Sequence, residues 1–163
     1  MLKRILVSFA VVSALGLMIA PAIHAAGGQD TATTAKSAPK DAEYDMAKKA
    51  VKSQDWNQAI ALLTKVVGRD GKNANAHNYL GFSYRKSGNH DAALKYYKLA
   101  LKINPKHKGA HEYIGEAYLE KGNLQMAEQH LKVLDSLCFF GCQELNDLKK
   151  AVGAYKKKNN ISS

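Results

Sequence analysis

The sequence predicts an all-α fold: a solenoid of three helix-turn-helix units followed by a C-terminal capping helix. Three observations carry this. A pattern of glycine, tyrosine and alanine recurs with a 34-residue period, and a period of that size marks stacked supersecondary units. Within each period, apolar residues recur at helical spacing on two segments divided by a turn signal. A last amphipathic segment follows Gly141 and has no repeat after it.

The elements follow in chain order. Met1 to Ala25 reads as a cleaved signal peptide. Lys3 and Arg4 precede an apolar run, Ile5 to Ile19, and small residues follow at Ala20, Ala22, Ala25 and Ala26. At about 15 residues the run is shorter than the roughly 20 that a spanning helix needs. With no cysteine near the cleavage region, a lipoprotein anchor is not expected, and the mature chain is expected to be periplasmic or secreted. Residues 26–39 are small and polar, which offers nothing to bury and predicts a flexible leader.

The repeat domain is expected over residues 40–158. Its first unit, about 40–73, is degenerate: Ala47, Ala50 and Gln54 stand where later units have glycine, tyrosine and the turn glycine. Ala59, Leu63 and Val66 keep the spacing, and Trp56 opens the second helix. The clearest unit is 74–107. Its first helix carries Leu80, Gly81 and Tyr84, the turn is Ser87-Gly88-Asn89, and the second helix carries Ala93, Leu94, Tyr97, Ala100 and Leu101. Leu80, Tyr84 and these second-helix residues are expected in the core. Gly81 is expected to let the second helix approach, and Pro105 to stop it. The third unit, 108–141, keeps Gly115, Tyr118, Gly122 and Ala127 but has Phe139 in the proline slot. From 142 to about 157, Leu145, Leu148, Val152 and Tyr155 fall on one helical face, a cap for the third unit. Residues 159–163 are left as a tail.

These glycine, tyrosine and alanine positions resemble the tetratricopeptide repeat (TPR). The resemblance implies a grooved solenoid that binds a protein or peptide, with each unit's first helix lining the groove. Slot by slot it points to Tyr44, Lys48 and Lys52 from the first unit, then to Asn78, Tyr79, Phe82, Arg85 and Lys86 from the second. From the third it points to Glu112, Tyr113, Glu116 and Glu120. Members that bind chaperone tails clamp a terminal carboxylate with a lysine, asparagine and arginine set. Here those slots hold Tyr44, Lys48, Tyr79, Gly109 and Tyr113, so that activity is not expected.

Cys138 and Cys142 flank Phe139-Phe140-Gly141 at the joint between the last unit and the cap. Export to an oxidising compartment favours a structural disulfide there, while buried thiols and redox or metal chemistry stay open. The Leu-Cys-Phe-Phe-Gly-Cys stretch resembles one in small exported bacterial repeat proteins and names no activity. His77 and His111 share one slot, one period apart, which the repeat itself explains. His107 and His111 lack a third ligand nearby in sequence, so no metal is expected. Nothing resembles a haem-attachment motif, a phosphate loop or a nucleophile with its base; neither an enzyme nor a cofactor is expected.

Cleavage after Ala25 lowers the formal net charge of +10 by two, so the mature chain stays basic. Nucleic acid does not suit an exported protein. Peripheral association with an anionic membrane and self-association stay open beside the main expectation, a scaffold or adaptor in the bacterial envelope. A thiol- or metal-handling protein using Cys138 and Cys142 is the alternative.

Overall fold

The computed structural model describes residues 40–161. The signal peptide expected over 1–25, the leader expected over 26–39 and the last two residues of the tail lie outside the described residues. Within them the chain forms seven α-helices: α1 (Lys40–Lys52), α2 (Trp56–Arg69), α3 (Ala74–Lys86), α4 (His90–Ile103), α5 (Lys108–Glu120), α6 (Leu124–Leu137) and α7 (Gln143–Lys158). Helices α1, α3 and α5 each pack against the even helix that follows, and α3 and α5 also pack against the preceding pair. The last helix, α7, packs on both α5 and α6.

Capping repeats with the sequence. The side chains of Asp55, Asn73, Asn89, His107 and Asn123 each accept the backbone N–H three residues on, starting α2 to α6 in turn. Satisfying one of a helix's free amide donors in this way stabilises the start by about 1 kcal/mol. Inside each unit the turn repeats as well. Gly88 (φ 89°) and Gly122 (φ 76°) adopt the left-handed conformation, and the next residue's N–H bonds to the carbonyl of Tyr84 or Tyr118 at 2.8 Å. Gln54 does the same at φ 60°, with Asp55 N–H bonding to Ala50 O at 2.9 Å. The first unit thus makes the turn without glycine, at a strain cost of about 1 kcal/mol.

Two apolar clusters form the core. One joins Ala47, Ala50, Ala59, Leu63, Val66, Ala76 and Leu80 across α1 to α3. The other runs from Ala93 and Tyr97 through Ile114, Ala117, Ala127 and Leu134 to Leu145, Leu148 and Val152 of α7. Ala59, Ala93 and Ala127, one period apart, are each fully buried. Tyr84, Leu94 and Leu101, expected in the core, are only partly buried at its edge. Tyr84 lies parallel to Tyr96, ring centroids 5.4 Å apart, so its outer face stays at the surface.

The slot glycines are required for different reasons. A Cβ on Gly81 would lie 2.7 Å from the Tyr97 ring, within the same unit. A Cβ on Gly115 would lie 2.7 Å from Leu148, a residue of α7. Leu131 occupies the third unit's equivalent of Tyr97 and is shorter, and α7 supplies the bulk. Leu148 is itself one period after Ile114 and two after Leu80. The capping helix is therefore half of a fourth unit, held in register.

Candidate functional site

The face shared by α1, α3 and α5 is lined with aromatic rings. Tyr44 meets Tyr79 edge-on at 6.1 Å, and Phe82 meets Tyr113 at 4.9 Å. Trp56, opening α2, meets Phe82 edge-on at 5.9 Å. Cations lie on these rings: Lys48 Nζ is 5.1 Å from the Tyr44 centroid and Lys86 Nζ 5.4 Å from that of Phe82. Such contacts hold a flexible cation at a stacking surface. Burial, with help from neighbouring Tyr79 and Asp45, pushes the Tyr44 phenol up to about 12, and burial with Glu112, Tyr79 and Glu116 does the same for Tyr113. Both stay neutral hydrogen-bonding groups.

Residues expected along one open groove fall into separate settings. Tyr79, Lys48 and Lys52, with Asp45, Lys49 and Val51, line a hollow of about 460 Å³ at the first-unit end. Lys48 pairs with Asp45 at 2.7 Å there. Arg85 is different. Its side chain is 5% exposed and bonds Glu116 Oε2 at 2.6 Å and Glu120 Oε1 at 2.7 Å, joining α3 to α5. Burial works against its charge, but Tyr97, Glu116 and Glu120 outweigh that and raise its pKa. Arg85 is therefore an internal tie rather than an open anchor, and it occupies Glu116 and Glu120 too. Asn78 and Glu112, at 5% and 8% exposure, are also withdrawn from the groove surface. The reason is their position on the side of the helix where α3, α5 and α7 pack in succession; Asn78 lies against Gly109 at the start of α5.

Glu112 faces acids. Burial first, then Glu116, Asp147 and Glu144, push its carboxyl up to about 8, with Arg85 acting the other way. The last two acids belong to α7, whose contribution the sequence reading missed by treating it as a cover alone. A second hollow of about 570 Å³ lies between Arg85, Glu116 and Glu120 on one side and Ala151, Tyr155 and Lys158 of α7 on the other. The 34-residue register of Leu148 was the available signal.

On the side where α5 meets α6, His111 and His130 touch. His111 Nε2–H donates to Pro105 O at 2.9 Å, so its Nδ1 accepts from His130 Nδ1–H at 2.9 Å. Burial, then His111 and Lys98, lower the His130 pKa to about 4. His77 repeats the backbone bond, donating to Gly71 O at 3.1 Å, but stacks on Tyr96 instead of a second histidine. His107 uses Nδ1 as the α5 cap and Nε2 to reach Asn75 Oδ1 at 2.9 Å. Cys138 and Cys142 form a disulfide, S–S 2.07 Å. Among the described residues, no three His, Cys, Asp or Glu side chains converge to hold a metal ion.

Residues 74–107 match the tetratricopeptide repeat family model. No curated protein matches the chain. Solved structures do. The Sgt2 TPR domain from Aspergillus fumigatus is 20% identical with a TM-score of 0.65, covering 74% of this chain and 79% of that one. The Yersinia enterocolitica type III secretion translocator chaperone SycD is 20% identical with a TM-score of 0.66, covering 74% and 85%. PcrH, in complex with the chaperone binding region of PopD, is 16% identical with a TM-score of 0.66, covering 73% and 92%. With seven helices, no strand among the described residues and these neighbours, the chain carries a tetratricopeptide repeat at 74–107 and has the fold of an all-α TPR solenoid.

Proposed function

We propose that this protein is an exported scaffold without catalytic activity, which holds a segment of a partner protein against the face of α1, α3, α5 and α7. The observation that carries the reading is the aromatic row Tyr44, Tyr79, Phe82 and Tyr113, half-buried and in contact in pairs across α1, α3 and α5. Half-exposed aromatic rings offer large, rigid contact area at low entropy cost, as binding hot spots do. The charge along that face is polar in layout. Lys48, Lys49 and Lys52 stand at the α1 end, and Glu144 and Asp147 join the acids of α5 at the other. A segment carrying acidic residues toward one end and basic residues toward the other fits this layout. The neighbours support the class of ligand: SycD is solved with a peptide of the translocator YopD, and the first TPR of Spaghetti (RPAP3) with an HSP90 peptide. Export rests on residues 1–25, and a mature mass beginning at Ala26 checks it.

The test is capture of partners from envelope extract on the immobilised mature protein, beside a Lys48→Glu/Tyr79→Ala variant. Arg85 is left intact, because a charge reversal there would set three carboxylates together and disturb the fold. A partner held by the native chain and lost by a variant of unchanged helix content supports groove binding. Equal capture by both removes the groove from consideration.

A further inference from the structure

Phe139 and Phe140 are 88% and 97% exposed, by far the most exposed large apolar side chains among the described residues. Their exposure is built in rather than accidental. The two rings occupy the corner positions of a tight turn closed by Gly141 N–H donating to Cys138 O at 2.7 Å, with Gly141 left-handed at φ 82°. The Cys138–Cys142 disulfide closes the same loop a second time. Cys138 is itself buried in the larger core cluster and Cys142 packs against it. The bridge therefore roots the loop in the core and points the two rings away from it. They contact each other edge-on at 5.1 Å. A natural sequence that leaves two adjacent phenylalanines in water on a doubly braced turn has given them an apolar environment to enter.

The surroundings say which. The loop stands on the edge of the solenoid that carries the joint between α4 and α5. Glu144 at the start of α7 is close enough to His107 of that joint to act on its charge. Between Asp91 and Glu112 the chain has five lysines, Lys95, Lys98, Lys102, Lys106 and Lys108, and no acid. Lys95, Lys98 and Lys102 fall on one outer face of α4 at helical spacing, and none of the five has an ion-pair partner among the described residues. On the same edge, Ile103 adds a third exposed apolar side chain. Of the acids beside the loop, Asp135 is paired with Lys149 at 3.2 Å, and Glu144, two residues after Cys142, is a single negative charge, unpaired among the described residues, set against the five lysines. With Lys102, Lys106 and Lys108 at the joint and Lys98 and Lys95 further back along α4, the edge combines a protruding aromatic tip with an excess of unpaired positive charge. A projecting tip needs no matching socket when the other phase is fluid, and unpaired lysines gain from a sheet of anionic headgroups.

We propose that this edge is an interfacial membrane anchor, in which Phe139 and Phe140 enter the headgroup region of an anionic bilayer while the α4 lysines lie against its surface. It is distinct from the peptide-binding face and stands or falls separately.

The test is co-sedimentation of the chain beginning at Ala26, which retains every described helix and both core clusters, with vesicles of defined composition. One set contains phosphatidylglycerol and phosphatidylcholine in equal parts, the other phosphatidylcholine alone. The expected result is binding to the anionic vesicles that weakens with salt and falls by about tenfold or more in Phe139→Ser/Phe140→Ser. Lys98→Glu/Lys102→Glu is expected to weaken it as well. Because the two rings pack on nothing but each other, the phenylalanine variant should keep its helix content and thermal midpoint. Equal retention by both vesicle sets, or anionic binding that survives loss of both rings, overturns the proposal. So does a phenylalanine-dependent dimer in the absence of lipid, which would show that the tip covers a second copy of the chain.

Discussion

The second and third repeats share their frame and differ in how that frame is filled. Both open with a capped helix, turn through a left-handed glycine and bury an alanine at the same slot of the second helix. Yet the second repeat fills the space above Gly81 with its own Tyr97, whereas the third leaves Gly115 to Leu148 of α7. The second places neutral Asn78 and Tyr96 where the third places Glu112 and His130. A repeat can therefore keep every turn and cap while handing both its closure and its charge state to neighbours. The third repeat is the part of the molecule that depends on α7, and it holds Glu112 and His130, whose surroundings push the one carboxyl up and the one imidazole down.

The strongest way to break this comparison is Leu148→Ala. Leu148 is fully buried, and its removal should cost about 2–5 kcal/mol in denaturant unfolding. Adding Leu131→Tyr, the residue of the second repeat, should recover part of that loss if closure from within can replace closure from α7. No recovery would mean that the two glycine pockets are not equivalent.

A smaller effect is expected from Glu112→Gln, which gives the third repeat an amide as in the second. Burial and the neighbouring acids push the folded carboxyl up to about 8 from its ordinary 4.5. Being raised, it favours the fold below about pH 4.5, and that contribution is lost as pH rises toward 8. The native chain should lose thermal stability across that window, against the charges of Glu116, Glu144, Asp147 and Arg85 that face the group. The variant should lie above it at pH 9 and near it at pH 4.5. Parallel melting curves at all pH values would show that Glu112 is not the source.

The smallest change is His130→Tyr. Burial, then the facing His111 and Lys98, lower the His130 pKa to about 4 in the fold from its ordinary 6.5. A lowered histidine pKa has the opposite sign: the neutral form belongs to the fold, and stability falls as pH drops from 6.5 toward 4. The tyrosine variant should flatten the acid limb of the stability profile, measured by thermal midpoints between pH 4 and 7. An unchanged limb would assign the acid sensitivity elsewhere.

Much of the frame was legible in the chain, because turns and caps are local chemistry. Gly88, Gly122 and the asparagines after them announce their turns, and alanine at a fixed slot announces close helix contact. In the first unit the register alone put Gln54 at the turn, and its left-handed backbone carries no signal in sequence. The candidate site was less legible. Slot matching placed Arg85 and Glu112 on an open groove, but it says nothing about which side chains close over one another. Arg85 found Glu116 and Glu120 from the next repeat within reach, and a buried charge is tolerable only with such partners.

The sequence by itself determined the period, the helices and the turns between them, because each of these depends on residues a few positions apart. Only the tertiary structure decided that α7 is half a repeat that fills the third unit, that Arg85 is an internal tie, and that Phe139 and Phe140 stand outside the core. Those outcomes depend on shape, burial and charge at contacts between units, where residues one or more periods apart compete for the same space.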